Sequence, residues 1–151
     1  MQTLDTSSAK ILLTRLNSLS PASPGLWGKM NAHQMLCHLN DSYRAMMGGR
    51  TVSSDATFLN RTLVRCVALH TSLPWPKGVP TRPEVDPLDR GTRPAMFDQD
   101  KAKLIATIED FAAQPRTFQF TPHPIFGPLT EWEWMRWGYL HADHHFRQFG
   151  I

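Results

Sequence analysis

Residues 130–150, TEWEWMRWGYLHADHHFRQFG, have the pattern of a long amphipathic helix and carry three of the chain's seven histidines. Thr130 followed three residues later by Glu133 is a capping box, which satisfies free amides at a helix N-terminus. Gly150 is a usual stop signal after the last turn. We therefore predict a helix from Glu131 to about Phe149.

Two of these histidines are spaced to act together. His141 and His145 are four residues apart, so they differ by only about 40° around the helix axis and stack on one face. Imidazoles at this spacing can bind one metal ion. The wheel places apolar residues beside them, namely Trp134, Met135, Gly138, Ala142 and Phe149. The pair is therefore predicted to point inward, with His144 nearer the polar flank.

Two further amphipathic segments lie in the N-terminal third of the chain. Over residues 6–17 the apolar residues recur at three- and four-residue steps. Such residues form one apolar stripe along a helix. Asn31 can open a second helix through a capping box, and the glycines at 48–49 end it. His38 lies at the border of this helix's apolar arc, whereas His33 projects to the polar side and is expected to be solvated.

Residues 56–70 predict a third helix, and Asp98 is the predicted N-cap of a fourth that ends before Pro115. The apolar stripe of the third helix comprises Leu59, Leu63, Val67 and Leu69. Strand signals are scarce throughout. Five helical segments, four of them long, predict an all-α four-helix bundle with irregular proline-rich connections, forming one domain over residues 1–151.

No helix can run through residues 71–94, because this stretch holds six of the chain's 12 prolines. Connections of this length are usually functional lids or disordered segments. Leu73, Trp75, Val79 and Val85 are scattered along it, so we expect it to pack on the body of the protein. It could shape a substrate pocket.

The composition limits the class of protein. With 41% hydrophobic and 19% charged residues the chain should fold by itself. The net charge of +3 comes from scattered residues, which does not favour a nucleic-acid partner. The N-terminus lacks a signal-peptide pattern, and no run of about 18 apolar residues would span a membrane, so a cytoplasmic location is expected. Cys37 and Cys66 are then reduced and act as small apolar residues.

A metal site on two imidazoles needs a third ligand, and His38 is the best candidate. It borders the apolar arc of its own helix and is distant enough in sequence for that helix to pack against the last one. Three protein ligands would leave one position open, as in catalytic sites. The alternative is a set of core histidines that are simply hydrogen-bonded to their neighbours. His70 and His123 fall at a helix end and in a turn, where such residues have ordinary structural roles.

Four stretches of the sequence then resemble the DinB/YfiT-like superfamily, specifically an uncharacterised DinB-like branch. They are LWGKM at 26–30, QML with His38-Leu39 at 34–39, HPIFGPLT at 123–130 and the closing residues 141–148. The resemblance implies a four-helix bundle with a three-histidine metal site, here His38, His141 and His145. Many such proteins follow the last histidine directly with Arg-Gly-Gln, whereas Phe146 intervenes here, so roles for that Arg and Gln do not transfer.

The resemblance also implies a function. Its members include thiol-dependent transferases and metal-dependent hydrolases, so we expect a divalent metal, zinc or nickel before iron or manganese, a small-molecule substrate and a low-molecular-weight thiol. Asp41 and His144 are candidate outer-shell or proton-transfer groups. A non-catalytic metal- or ligand-binding module is the alternative, and a plain structural domain is the third reading. Related proteins are often dimers, which makes a homodimer an expectation too.

Overall fold

A computed structural model describes all 151 residues, and every regular element is helical. The five α-helices are α1 (Thr6–Asn17), α2 (Ala32–Met46), α3 (Arg65–His70), α4 (Phe97–Ala112) and α5 (Glu131–Gln148). There is no β-strand, only an isolated bridge between His123 and Gly127. The prediction of an all-α protein is confirmed. None of the helices has both the length and the apolar character that a membrane crossing requires.

Three of the long helices, α1, α2 and α5, begin at a residue whose side chain caps them. The Asn31 side chain accepts a hydrogen bond from the Gln34 amide at the start of α2, and Thr130 does the same for Glu133 at α5. The prediction that Asp98 caps α4 is wrong, because the helix already begins at Phe97 and Asp98 lies in its first turn. Asp98 at that place still favours the helix, since it lies near the positive end of the dipole.

The four long helices enclose the main core. α2 packs against α4 and α5, and α1 packs against the same two helices. Leu12, Leu36, Leu104 and Phe146, one from each helix, are fully buried in a cluster of 25 core residues. Burial of their apolar surface is the main source of stability for such an arrangement.

The third helical segment differs from the prediction. A π-helical turn spans Asn60–Val64 and only then does α3 begin. Leu59, Leu63 and Val67 are 56%, 60% and 42% exposed, so of the predicted core stripe only Leu69 is buried in the core. The wider π turn changes the angular step per residue, and a stripe spaced for an α-helix then no longer stays on one face.

The proline-rich segment 71–94 contains no α-helix, as predicted, and forms one short 3₁₀ turn at Pro83–Val85. The C-terminal end of this segment is attached to α2. The Asp41 carboxylate of α2 accepts hydrogen bonds from the Thr92 backbone N–H at 2.6 Å and from the Thr92 hydroxyl at 2.8 Å. Packing on the body is only partial. Trp75 and Val85 contact the core, whereas Leu73 and Val79 are exposed.

Candidate metal centre

The structure brings three imidazoles to one place. His38 comes from α2, and His141 and His145 come from successive turns of α5. The Nε2 atoms of His38 and His141 are 3.3 Å apart. A nitrogen of each of the three rings lies within 4.8 Å of the other two. This juxtaposition depends on the packing of α2 against α5 and on the four-residue spacing within α5.

A backbone carbonyl fixes the protonation of His38. Its Nδ1 is 2.8 Å from the carbonyl oxygen of Val85, in the 3₁₀ turn of the proline-rich segment. A carbonyl can only accept a hydrogen bond, so Nδ1 carries the proton. The Nε2 atom of the neutral ring then presents a lone pair to the other two histidines.

Two hydrogen bonds fix His145 in the same way. The Gln148 side-chain nitrogen donates to the Trp27 carbonyl at 2.7 Å, which sets the orientation of the amide. The Gln148 oxygen is then the atom that faces His145, 2.9 Å from its Nδ1. Nδ1 of His145 therefore donates, and its Nε2 is left with a free lone pair. Gln148 is thus an orienting group for His145.

Nδ1 of His141, the third ring of the cluster, lacks such a partner. This atom is buried and has no hydrogen bond. The ring packs against Trp137, with 4.8 Å between the ring centres, and against Trp75 at 6.1 Å. The His141 ring is therefore positioned by aromatic packing, whereas the rings of His38 and His145 are held by hydrogen bonds.

Electrostatics keep all three rings neutral. Burial lowers the pKa of His38 below its ordinary value. Burial and the neighbouring imidazoles His145 and His38 lower the pKa of His141 much further. Burial, together with His38, does the same for His145. Only a neutral imidazole can bind a metal ion, so the three rings are in the required form at neutral pH.

The spacing of the His38 and His141 nitrogens fits the first shell of a divalent metal ion. Two nitrogens bound at about 2.0–2.1 Å to one tetrahedral zinc lie about 3.3–3.4 Å apart. His38 and His141 match this spacing at 3.3 Å. Outer-shell acceptors on the far nitrogen of a ligating histidine, as Val85 and Gln148 supply here, are usual in metal sites.

A cavity of about 1120 Å³ adjoins the cluster, and all three histidines line it. Its walls are mainly apolar and come from the segment around α3, the proline-rich segment, the loop at residues 123–126 and α5. They include Leu63, Val67, Trp75, Val85, Phe126 and Trp137. The exposed apolar residues that the sequence assigned to the core thus partly form the wall of a pocket. A ligand in this cavity would reach the histidine cluster.

The two candidate outer-shell groups have different positions. His144 lines the cavity, with its ring centre 5.3 Å from that of His145, and burial lowers its pKa. Asp41 is fully buried and its carboxylate is already bonded to Thr92 and Arg50. The prediction of a proton-transfer role for Asp41 is therefore replaced by an anchoring role for the proline-rich segment.

A second group, His33, Cys37 and Asp100, also has atoms close enough to share an ion. Asp100 is instead bonded to His33 at 2.8 Å and to the Lys103 ammonium at 2.9 Å. Burial, with the negative charges of Asp100 and Asp41, raises the pKa of Cys37 to about 12, so its thiol stays protonated. Asp100 is thus held by other protein groups, and His33, which was predicted to be solvated, is partly buried against it.

Two other residues also differ from the sequence analysis. Cys66 is exposed, so it does not act as a small core residue, whereas Cys37 is buried as predicted. His123 has the structural role in a turn that the sequence indicates, since it accepts two backbone amides there, but it is also 5% exposed and lines the cavity, which was not predicted. A loop has no periodicity from which burial can be deduced, and the only signal was the HPIFGPLT stretch itself.

Fold and site together define an all-helical protein in which three histidines meet beside a large apolar cavity. The chain belongs to the DUF1569 family, a family of proteins of unknown function, whose model matches residues 1–150. No curated protein and no solved structure matches the chain. The function of the histidine cluster is therefore inferred from the chemistry of its residues.

Proposed function

We propose that the protein is a divalent-metal-dependent enzyme whose ligands are His38, His141 and His145. The observation that carries this proposal is the convergence of three neutral imidazoles, two of which are oriented by Val85 and Gln148. Purely structural histidines would be expected to have both ring nitrogens satisfied. Here Nε2 of His145 has no hydrogen-bond partner, which a bound metal ion would supply.

The reaction that suits this arrangement is a group transfer or a hydrolysis. A bound metal with an open position would lower the pKa of a water or a thiol there and so supply a nucleophile at neutral pH. His144, neutral and on the cavity wall, is placed to accept a proton from a group bound in the cavity. The apolar walls would hold a small-molecule substrate and exclude water from it.

The ligand set narrows the choice of metal. Three imidazoles suit zinc and nickel, and also iron or manganese. We favour zinc or nickel, with a low-molecular-weight thiol as co-substrate on the basis of the DinB/YfiT-like resemblance. The same resemblance supports a four-helix bundle formed by α1, α2, α4 and α5, which pack pairwise. A homodimer remains a prediction of that resemblance.

A non-catalytic module that binds a metal or a small ligand is the second candidate. It is favoured by one observation, which is that Asp41, the carboxylate nearest to His38 along α2, is engaged by Thr92 and Arg50. With Asp41 engaged, His144 is the one candidate base left from the sequence analysis. A site without a base can hold a metal without turning over a substrate.

Metal content is the direct test. Protein purified without an affinity tag is expected to hold close to one zinc or nickel ion per chain, measured by elemental mass spectrometry. His38→Ala, His141→Ala and His145→Ala should each reduce the content strongly. The matched control is His70→Ala, which removes an exposed histidine far along the chain from the cluster. Metal-free wild type that also fails to bind added zinc or nickel would refute the proposal.

A thiol-transfer assay separates the enzyme from the module. Metal-loaded protein is offered an electrophilic model substrate with several low-molecular-weight thiols, and product formation is compared with that of His141→Ala. The enzyme predicts turnover that the variant lacks. Equal inertness of the two proteins, with metal bound only to the wild type, would leave the non-catalytic module.

A further inference from the structure

The loop from His123 to Gly127 holds a histidine that the metal centre does not use. Nδ1 of His123 accepts hydrogen bonds from the backbone N–H groups of Ile125 and Phe126, both at 3.1 Å. A nitrogen that accepts two N–H groups must present its lone pair to them and cannot carry a proton. The loop itself therefore decides the tautomer of this ring.

The proton of the neutral ring must then be on Nε2. The ring is stacked on Phe126, with 4.5 Å between the ring centres, and lies edge-on to Trp137 at 5.5 Å. Burial, assisted by the positive charge of Arg82, lowers the pKa of His123 to about 3. The imidazole is consequently neutral at physiological pH, with Nε2–H as its only donor.

No protein group receives that hydrogen bond. Nε2 of His123 has no hydrogen-bond partner in the protein, and this atom keeps some access to solvent. The residue is 5% exposed and lines the large cavity, so the remaining access is from the cavity side. Trp137 separates it from the cluster, since the same indole packs against His123 and against His141.

We propose that His123 is a fixed hydrogen-bond donor that positions a neutral oxygen atom, such as a carbonyl, of an apolar ligand in the cavity. The surrounding wall explains the ligand class, because Leu63, Val67 and Phe126 offer apolar surface while a neutral imidazole offers one donor and no charge. The inference rests on the proposed function in that it takes the cavity to be the substrate site. It makes His123 a positioning residue rather than a metal ligand.

The first test is the tautomer itself. In long-range ¹H–¹⁵N spectra of histidine-labelled, metal-free protein at pH 7, the residue whose signals are absent from His123→Asn should have an unprotonated Nδ1 and a protonated Nε2. The pattern should persist down to pH 5, where a solvated histidine would be cationic. A His123 that carries its proton on Nδ1, or is doubly protonated at pH 5, would overturn the proposal.

The second test uses two probes that differ only in the oxygen atom. Benzophenone and diphenylmethane have the same two rings joined by a carbonyl or by a methylene group. We expect binding of benzophenone, and not of diphenylmethane, to shift the Nε2 proton signal of His123. Removal of the donor should reduce the preference for benzophenone about 3- to 10-fold, which is the usual net worth of one hydrogen bond.

Two variants separate this role from a structural one. Asparagine can keep an acceptor near the Nδ1 position for the loop amides but cannot reach as far as Nε2, so His123→Asn should retain folding and lose the preference for benzophenone. Glutamine reaches the Nε2 position but not the amides, so His123→Gln should retain some preference and be less stable. Equal probe preference in wild type and His123→Asn, or failure of both probes to bind the cavity, would overturn the proposal.

Failure of this inference can be told apart from failure of the metal centre. His123→Asn should bind zinc as tightly as the wild type, because no ligand or orienting group is changed. Wild type without zinc affinity would refute the metal centre and leave the tautomer and probe results unaffected. Normal zinc affinity with no donor effect would refute only the role of His123.

Discussion

The orientation of one amide determines how His145 presents its nitrogen. Gln148 can direct its oxygen to His145 only because the Trp27 carbonyl takes its N–H. Gly28 makes room for this contact, since a Cβ there would lie 2.5 Å from the Gln148 nitrogen, and its φ of +82° favours glycine in any case. The residues around position 27 thus belong to the outer shell of the candidate site, though they are far from it in sequence.

Replacement of Gln148 by methionine should weaken metal binding without unfolding the protein. The acceptor for Nδ1 of His145 is lost while the volume is nearly kept, and loss of an outer-shell partner usually costs about 10- to 100-fold in metal affinity. Zinc affinity is measured by competition with a chromophoric chelator. Gln99→Met on the exposed face of α4 is the matched control. Equal affinity in both variants would mean that Gln148 does not orient the ligand.

Helical phase was enough to select the three histidines, because an i, i+4 pair on an apolar face can be recognised without knowledge of the fold. The partners that fix their tautomers were not predictable. Val85 contributes only a backbone carbonyl, which leaves no trace in the identity of the residue, and Trp27 reaches Gln148 from 121 positions away. The sequence therefore identified the candidate ligands but not the groups that orient them.

Among the elements, α5 packs closely against its neighbours at Gly138. A Cβ on Gly138 would lie 2.9 Å from the Phe111 ring of α4 and 3.0 Å from the Leu4 side chain. Both neighbours are fully buried, so neither can move away freely. The Tyr43 hydroxyl also donates to the Gly138 carbonyl, which ties α2 to the same point. Three parts of the core therefore meet at a residue without a side chain.

Gly138→Ala should destabilise the protein by about 1–3 kcal/mol, the usual cost of extra volume in a packed core, in spite of alanine's better helix propensity. Urea unfolding monitored by tryptophan fluorescence measures the change. Gly25→Ala is the control, because a Cβ there meets only ordinary contacts at 3.5 Å or more. A Gly138→Ala protein as stable as the wild type would show that α5 can shift without cost.

Elements with capping boxes were predicted almost to the residue, as α2 and α5 show, because capping is decided by neighbours in sequence. The segment around α3 was not. Its π-helical turn has no local signature, and its apolar side chains serve a cavity wall rather than the core. Apolar periodicity reveals a buried or ligand-facing surface but does not distinguish the two.

At the scale of the whole molecule, the histidine cluster exists only because separate parts of the chain meet. α2 and α5 supply the rings, the proline-rich segment supplies the Val85 carbonyl, and Asp41 attaches that segment through Thr92. The site is therefore coupled to global folding. Any ion that binds the folded form alone stabilises it by mass action.

The same coupling predicts how the metal-free protein responds to acid. Burial lowers the pKa of His38, His141 and His145 in the folded state, whereas histidines of an unfolded chain titrate near 6.5. Below pH 6.5 the unfolded state binds more protons, so stability is full above that pH and falls on acidification. Between about pH 6.5 and 5 histidines dominate, because the carboxylates of Asp100 and Glu133 begin to contribute only nearer pH 4.

Urea unfolding in the presence of a chelator at pH 5, 6, 7 and 8 tests this expectation. Each buried neutral histidine should add a slope of about 1 kcal/mol per pH unit between pH 5 and 6, and none between pH 7 and 8. His141→Gln, which keeps a polar side chain but cannot titrate, should reduce the slope by about that amount. Excess zinc should stabilise the wild type at pH 7, where all three rings are neutral and able to bind it. An unchanged slope in His141→Gln would mean that this ring is not held neutral by the fold, and the electrostatic basis of the metal centre would be lost.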